Sequence, residues 1–442
     1  MRIFRSLFSE YKEAFGLFTP NARLFLLGNF LFGIGSNLVQ LLLNLYLQKL
    51  GYDEATIGTV LSLRAFGSFA VALPASLVVA RLDSRLLLSS TAVLTAAAFA
   101  GQGLLSGFGP IAGSVLLSGA FSSMYQVASG PFFMRNSGDK ERVHLFALNG
   151  AIGMGTGVIG SLVGGVLKDI VFQASGDEAY AYRMALLLGA CFVGSSIAPF
   201  LAIRDQRSRR DREAIRDDAA VPLPAGSTAP TETGPAEPRG RLGKLDAGLY
   251  LRLLVPGFLV GMGAGLTIPY LNLYFKNEFH LGDSAIGVIF ALGQVGTFVG
   301  MAAGPAIARR VGKPRAIFLT QALSVPFILV LTYLRFLPAV ILAFLARQSL
   351  MNMSTPISDN FALEKVPPGQ QHFMNALKML NWTGSWMIAA RVSGSIIAEL
   401  GFAPSFTLTA ALYAVATALF WTFFLRRGAR YGEDRIQKSV VG

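Results

Sequence analysis

The chain has 442 residues, 53% of them hydrophobic and only 14% charged, with a mean hydropathy of +0.52. That is too apolar for a soluble domain to cover with its own polar surface, which excludes soluble enzymes and soluble binding modules. The net charge of +13 sits in short loops and tails between apolar runs rather than on one face of a domain, so it reads as a topology signal and excludes nucleic acid as the partner.

The opening MRIFRSLFSEYKEAF is basic and amphipathic without a small-residue cleavage site, and reads either as a cytoplasmic helix on the membrane surface or as a tail. Apolar windows broken by charged or Gly/Pro turns then predict spans near 23–47, 54–80, 86–105, 110–134, 144–167 and 181–203. A second set follows near 249–275, 283–308, 315–335, 338–361, 372–398 and 403–425. Between the sets, 204–248 is rich in charge, Pro, Gly and Thr and cannot build a packed core, so it reads as a solvated linker. The expected organisation is a bundle over 1–203, this linker, a second bundle over 249–425 and a tail over 426–442.

Basic residues mark alternate loops: Arg81 and Arg85; Arg135, Lys140 and Arg142; the linker; Arg309, Arg310, Lys313 and Arg315; and Arg426, Arg427 and Arg430. The opposite loops hold little beyond Lys49, Lys168, Lys276 and Arg335. By the positive-inside rule, both termini and the linker are expected in the cytoplasm of a multi-pass inner-membrane protein. Cys191 is the single cysteine, so neither an intrachain disulfide nor a multi-thiolate metal site is expected. His144, His280 and His372 fall at loops or helix ends, and no phosphate-cradling Gly-Lys-Ser/Thr loop is present. An enzyme, a resident cofactor and an ATP-driven pump are therefore not expected.

An internal repeat is the sharpest signal. Phe30–Tyr46 laid over Phe258–Tyr274 matches at nine of 17 positions, among them Gly33/Gly261, Gly35/Gly263, Asn44/Asn272 and Tyr46/Tyr274. The match runs into the next helix, where Ile57-Gly58, Leu63, Gly67, Phe69 and Arg81 meet Ile286-Gly287, Leu292, Gly296, Phe298 and Arg310. Helices one and seven are therefore equivalent, and the predicted fold is all-α, with twelve transmembrane helices in two pseudo-symmetric six-helix bundles.

This plan resembles the major facilitator superfamily, whose signature is a Gly-x-x-x-Asp-Arg-x-Gly-Arg loop between helices two and three. Here Arg81 stands at the Arg position, while Ser76, Ala80 and Asp83 replace the first Gly, the Asp and the second Gly. The counterpart after helix eight keeps Arg310, Gly312 and Lys313 but has Arg309 at the Asp position. The glycines of helix five, Gly153, Gly157, Gly160, Gly164 and Gly165, resemble those of the superfamily's antiporters without their Gly-Pro pair. Close helix packing explains the same spacing.

The resemblance implies that helices one, four, seven and ten line a cavity and that two and eleven meet between the halves. Arg347 is then expected to face substrate, as are Asn37, Gln40, Gln126, Tyr270 and Asn352. Arg64, near mid-membrane, has Gly293 as its repeat partner and hence no structural duplicate, which points to function. Lys378, a further candidate substrate ligand, and Arg391 lie in helix eleven. Snorkelling, or for Arg64 and Arg391 a backbone carbonyl partner, would also account for these residues. Trp382 and Trp386, one turn apart, could stack on a flat ligand or simply pack. Gly157, Pro269, Asp359, Arg391, Arg81 and Arg310 are the candidates for gating or coupling, Pro269 because it can loosen helix seven. The expected activity is alternating-access transport of a small organic solute by a monomer, with a proton or another ion as candidate coupling partner. An excess of intramembrane Arg and Lys over acids favours an anionic or zwitterionic substrate; proton-coupled multidrug efflux, which would want a buried carboxylate such as Asp359, is the alternative.

Overall fold

A computed structural model describes residues 18–81, 83–204, 246–367 and 370–426; the linker and both terminal segments lie outside this set. Its described residues form twelve long helices and no strand. They are α1 (Pro20–Lys49), α2 (Glu54–Arg81), α3 (Ser84–Leu104), α4 (Phe108–Arg135), α5 (Asp139–Ser175) and α6 (Glu178–Ser195, continued as Ile197–Leu201). The second six are α7 (Ala247–Thr267, resumed as Leu271–Phe279), α8 (Asp283–Val311), α9 (Lys313–Tyr333), α10 (Leu337–Lys365), α11 (Gln371–Leu400) and α12 (Phe402–Phe420).

Local chemistry sets the helix ends. Thr19 caps α1 by accepting from the Ala22 N–H at 3.2 Å, with Pro20 at the first helical position. Asp83, Asp177 and Asp246 cap α3, α6 and α7 in the same way. Gly176, at φ 68°, ends α5 in the left-handed conformation that glycine adopts without penalty. The α5 helix outruns its predicted span at both ends, because the Glu141 carboxylate accepts from the Gly138 N–H at 2.6 Å at one end and Lys168 and Asp169 find partners at the other. The Gly138 contact holds the Glu141 carboxyl below the usual range.

Helices α1 to α6 pack together, as do α7 to α12, and the two bundles meet along α2 against α11 and α5 against α8. The contacts repeat with the sequence. Gly33 lies against Thr156 and its counterpart Gly261 against Ser385; Gly58 lies against Gly394 and Gly287 against Gly165. Ten of the twelve helices are long and apolar enough to cross a membrane by themselves; α10 and α11, which hold Arg347, Asn352, Asp359, Lys378 and Arg391, are the exceptions.

Candidate functional site

The two bundles are joined at the end opposite the basic loops. Asn44 of α1 donates to the Pro269 carbonyl at 2.5 Å, and Asn272 of α7 donates to the Leu41 carbonyl at 2.7 Å. Between α2 and α11, Ser62 donates to Met387 O at 2.8 Å and Arg391 to Ala55 O at 3.0 Å. Backbone approaches backbone at the glycines: a Cβ at Gly165 would lie 2.4 Å from Asp283 O, and one at Gly394 2.3 Å from Glu54 O. Only glycine allows this separation.

A charge cluster that the sequence reading missed closes the same end. Asp283 is fully buried; it pairs with Lys168 from the other half and with Lys276 at 3.0 Å, and accepts from the Tyr182 hydroxyl at 3.0 Å. Lys168, 3% exposed, also pairs with Glu178 at 3.0 Å, and Glu178 pairs with Lys49 at 2.9 Å. Beside them Asp169 accepts from the Ser284 N–H at 2.9 Å. A buried ion pair of this kind holds two surfaces in register rather than adding much net stability, and removing one member is costly.

Beneath this seal lies a cavity of about 450 Å³ between the halves. Asn44, Pro269 and Asn272 are among its lining residues, so the seal closes it at the end opposite the basic loops. The α7 helix breaks here into a single 3-10 turn over Ile268–Tyr270, as expected for Pro269, which has no N–H to continue an α-helix. The cavity gathers many of the expected residues. Asn37, which donates back to Gly33 O at 2.8 Å, and Gln40 line it from α1, Gln126 from α4, and Trp382 and Trp386 from α11. Gln348 of α10 lines it as well, and so does Gln294 of α8, which was not among the expected residues. Arg64 faces it from α2 and makes no hydrogen bond or ion pair with any described residue.

Four expected substrate ligands, Tyr270, Arg347, Asn352 and Lys378, stand outside the lining of this cavity. Tyr270 is fully buried; its hydroxyl donates to Ala390 O at 2.6 Å beneath Gly58, so it holds the junction of α7, α11 and α2 and does not line the central cavity. Arg347 is 1% exposed and turns into the second bundle, donating to the Tyr413 hydroxyl at 2.6 Å and to Gln348 at 3.3 Å. Adjacent helical positions point about 100° apart, so Gln348 reaches the central cavity and Arg347 does not. Asn352 donates to Gln348 O at 2.8 Å and lines the compartment beside Arg347.

The remaining candidates divide between the ends. Lys378 and Asp359 pair with each other, which leaves Asp359 ion-paired and its side chain 57% exposed. Gly157 faces Gln294 of the opposite half, where a Cβ would lie 2.9 Å from the side-chain amide carbon. Arg391 belongs to the seal, and Arg310 is exposed at the basic end of α8. The side chain of Arg81 is outside the described set.

The family model described as Major Facilitator Superfamily matches residues 25–390 and 253–439. An uncharacterized membrane protein of Saccharomyces cerevisiae, YJR124C, is 24% identical over 224 residues, which is 48% of this chain and 49% of that relative's own length. In fold, the chain is similar to a bacterial homologue of the human lysosomal transporter Spinster, inward-facing and unoccupied. The TM-score is 0.71 at 11% identity, over 91% of this chain and 96% of the other. The nucleoside transporter NupG gives a TM-score of 0.68 at 13% identity, over 92% and 99% of the two chains. A bacterial homologue of the iron transporter ferroportin in its inward-facing state gives 0.66 at 14% identity, over 91% and 98%.

Proposed function

The chain belongs to the major facilitator superfamily, and from that premise we propose that it carries a small organic anion or zwitterion across the membrane by alternating access. One observation carries this reading: Arg64 faces the central cavity with no partner among the described residues. A guanidinium keeps its charge in proteins, and an unpaired one at mid-membrane depth asks for an anion. Amides around it supply both donors and acceptors, and the Trp382/Trp386 pair, with ring centroids 5.9 Å apart, offers an aromatic wall. The positive charge would repel a metal cation.

The positive-inside rule supports a cytoplasmic basic end, cytoplasmic termini and a cytoplasmic 204–248 linker in a bacterial-type inner membrane, and on that orientation the seal closes the outer side, as in an inward-facing state. Proton-coupled multidrug efflux is less well supported. Asp359 is exposed and neutralised by Lys378, and the fully buried Asp283 is held by two lysines at the sealed end.

The test is uptake into proteoliposomes from pooled organic solutes. Uptake of an anion or zwitterion by the wild-type protein, abolished in Arg64→Ala and partly restored in Arg64→Lys, is the expected result. Transport confined to cations, or unchanged in Arg64→Ala, would overturn the reading.

A further inference from the structure

Beside the central cavity, and continuous with it at Gln126, Gln348, Trp382 and Trp386, lies a compartment of about 740 Å³ lined, apart from Gln126, by α7 and α9 to α12 of the second bundle. Its walls are largely apolar, with Leu254, Val260, Phe361 and Phe420 among them. Two buried polar atoms on its lining have no partner: Arg347 Nε and Gln321 Oε1. The Arg347 guanidinium lies 5.7 Å from the centre of the Tyr413 ring and touches only neutral groups, since the nearest lining carboxylate, Asp359, is taken by Lys378.

Burying a cation is costly unless a counter-charge arrives, and leaving its Nε unbonded adds the desolvation of a donor. An inorganic anion would neutralise Arg347 but leave most of the apolar volume unfilled. Hydrocarbon would fill the volume but leave the charge. A molecule with one anionic head and an apolar body does both, and the compartment is of drug-sized capacity.

We infer that this compartment binds an anionic amphiphile, its carboxylate or phosphate head on Arg347 and its hydrocarbon against the α7 and α12 walls. Occupancy here requires no translocation, so the inference stands or falls apart from the transport reading. The probe is 8-bromooctanoate, with 8-bromooctyl phosphate as the second head, titrated into the protein in lipid nanodiscs on a Trp421→Phe background. Bromine in contact with indole quenches its fluorescence, and Trp382 and Trp386 border the compartment.

Saturable quenching by either anion, weakened at least tenfold by Arg347→Gln and by Gly257→Phe, is the expected result, and the stronger of the two heads identifies the source. The second variant fills the compartment without a backbone clash, since a Cβ at Gly257 meets only Asn381 Nδ2 at 3.5 Å. If Arg347→Gln does not fold, Gly257→Phe decides alone, and unchanged affinity in it overturns the inference. Equal quenching by 8-bromooctanol overturns it too, as does a loss confined to Arg64→Gln, which would put the ligand in the central cavity.

Discussion

Asn44 and Asn272 bond reciprocally across the internal repeat. Asn44 donates to the carbonyl of residue 269 and Asn272 to that of residue 41, and Leu41 and Pro269 are themselves equivalent in the alignment that pairs the two asparagines. Each half grips the other's backbone through the same group. Because the bonds reach backbone oxygens, a side-chain change in the partner helix cannot remove the acceptors.

Breaking this exchange should favour the alternative, outward-open state. Each hydrogen bond contributes about 1 kcal/mol, or roughly fivefold in an equilibrium. With Cys191 replaced by Ser and a cysteine at Gln40, Asn44→Ala should raise labelling by an external impermeant thiol reagent about fivefold, and Asn44→Ala with Asn272→Ala by more. Labelling equal to the parent's would show that the asparagines do not hold the seal.

The buried ion pair should behave differently. Asp283→Asn leaves Lys168 buried without its closest counter-charge, a change that costs about 3–5 kcal/mol where no other acid is near and less here, since Glu178 and Asp169 remain. Its thermal midpoint in detergent should fall clearly, while Lys168→Met combined with Asp283→Leu should recover most of the loss. A double variant as unstable as the sum of its singles would deny the coupling.

The glycines of α5 should separate by position. Gly160→Leu should abolish transport, because its Cβ would stand 2.7 Å from Ile34 O. Gly153→Ala meets nothing within 4 Å and should be neutral or stabilise by about 0.5–1 kcal/mol through helix propensity. Thermal midpoints and uptake rates of the two variants decide this, and equal tolerance would reject the packing role.

Orientation is checked in intact cells. A cysteine at Ser227, on the Cys191→Ser background, should react only after the membrane is permeabilised, because the basic loops keep the linker inside. Reaction with an impermeant reagent before permeabilisation would reverse the assignment.

The spans and the repeat were legible because each rests on local pattern: twenty apolar residues in a row, or the same glycines at the same spacing. The break in α7 was legible for the same reason, since Pro269 has no N–H to continue an α-helix. The charge cluster was not, since Lys168, Glu178, Lys276 and Asp283 lie in four helices and look in sequence like scattered loop charges. Their placement at the facing ends of α5, α6, α7 and α8, two Lys against two acids, was the available signal. Arg347 and Gln348 show the other limit. Which of two neighbours faces the cavity depends on the rotation of α10, and α10 is polar on too many sides for its pattern to reveal that rotation.

The composition of α10 and α11 also bears on how the protein is made. Neither is apolar enough to enter the bilayer unaided, and they emerge in succession from the ribosome, carrying Arg347, Asp359, Lys378 and Arg391 between them. A charge at the centre of a span, as Arg347 is, opposes partitioning by about 2.5–3.5 kcal/mol and one nearer an end by less, so the two segments are expected to leave the translocon as a hairpin or against helices already inserted. The Asp359–Lys378 pair, which links one to the other, removes two of those charges at that step. Biosynthesis of the second half is thereby tied to the residues that give it its polar interior, and a substitution there can reduce the amount of protein in the membrane before it alters anything the protein does.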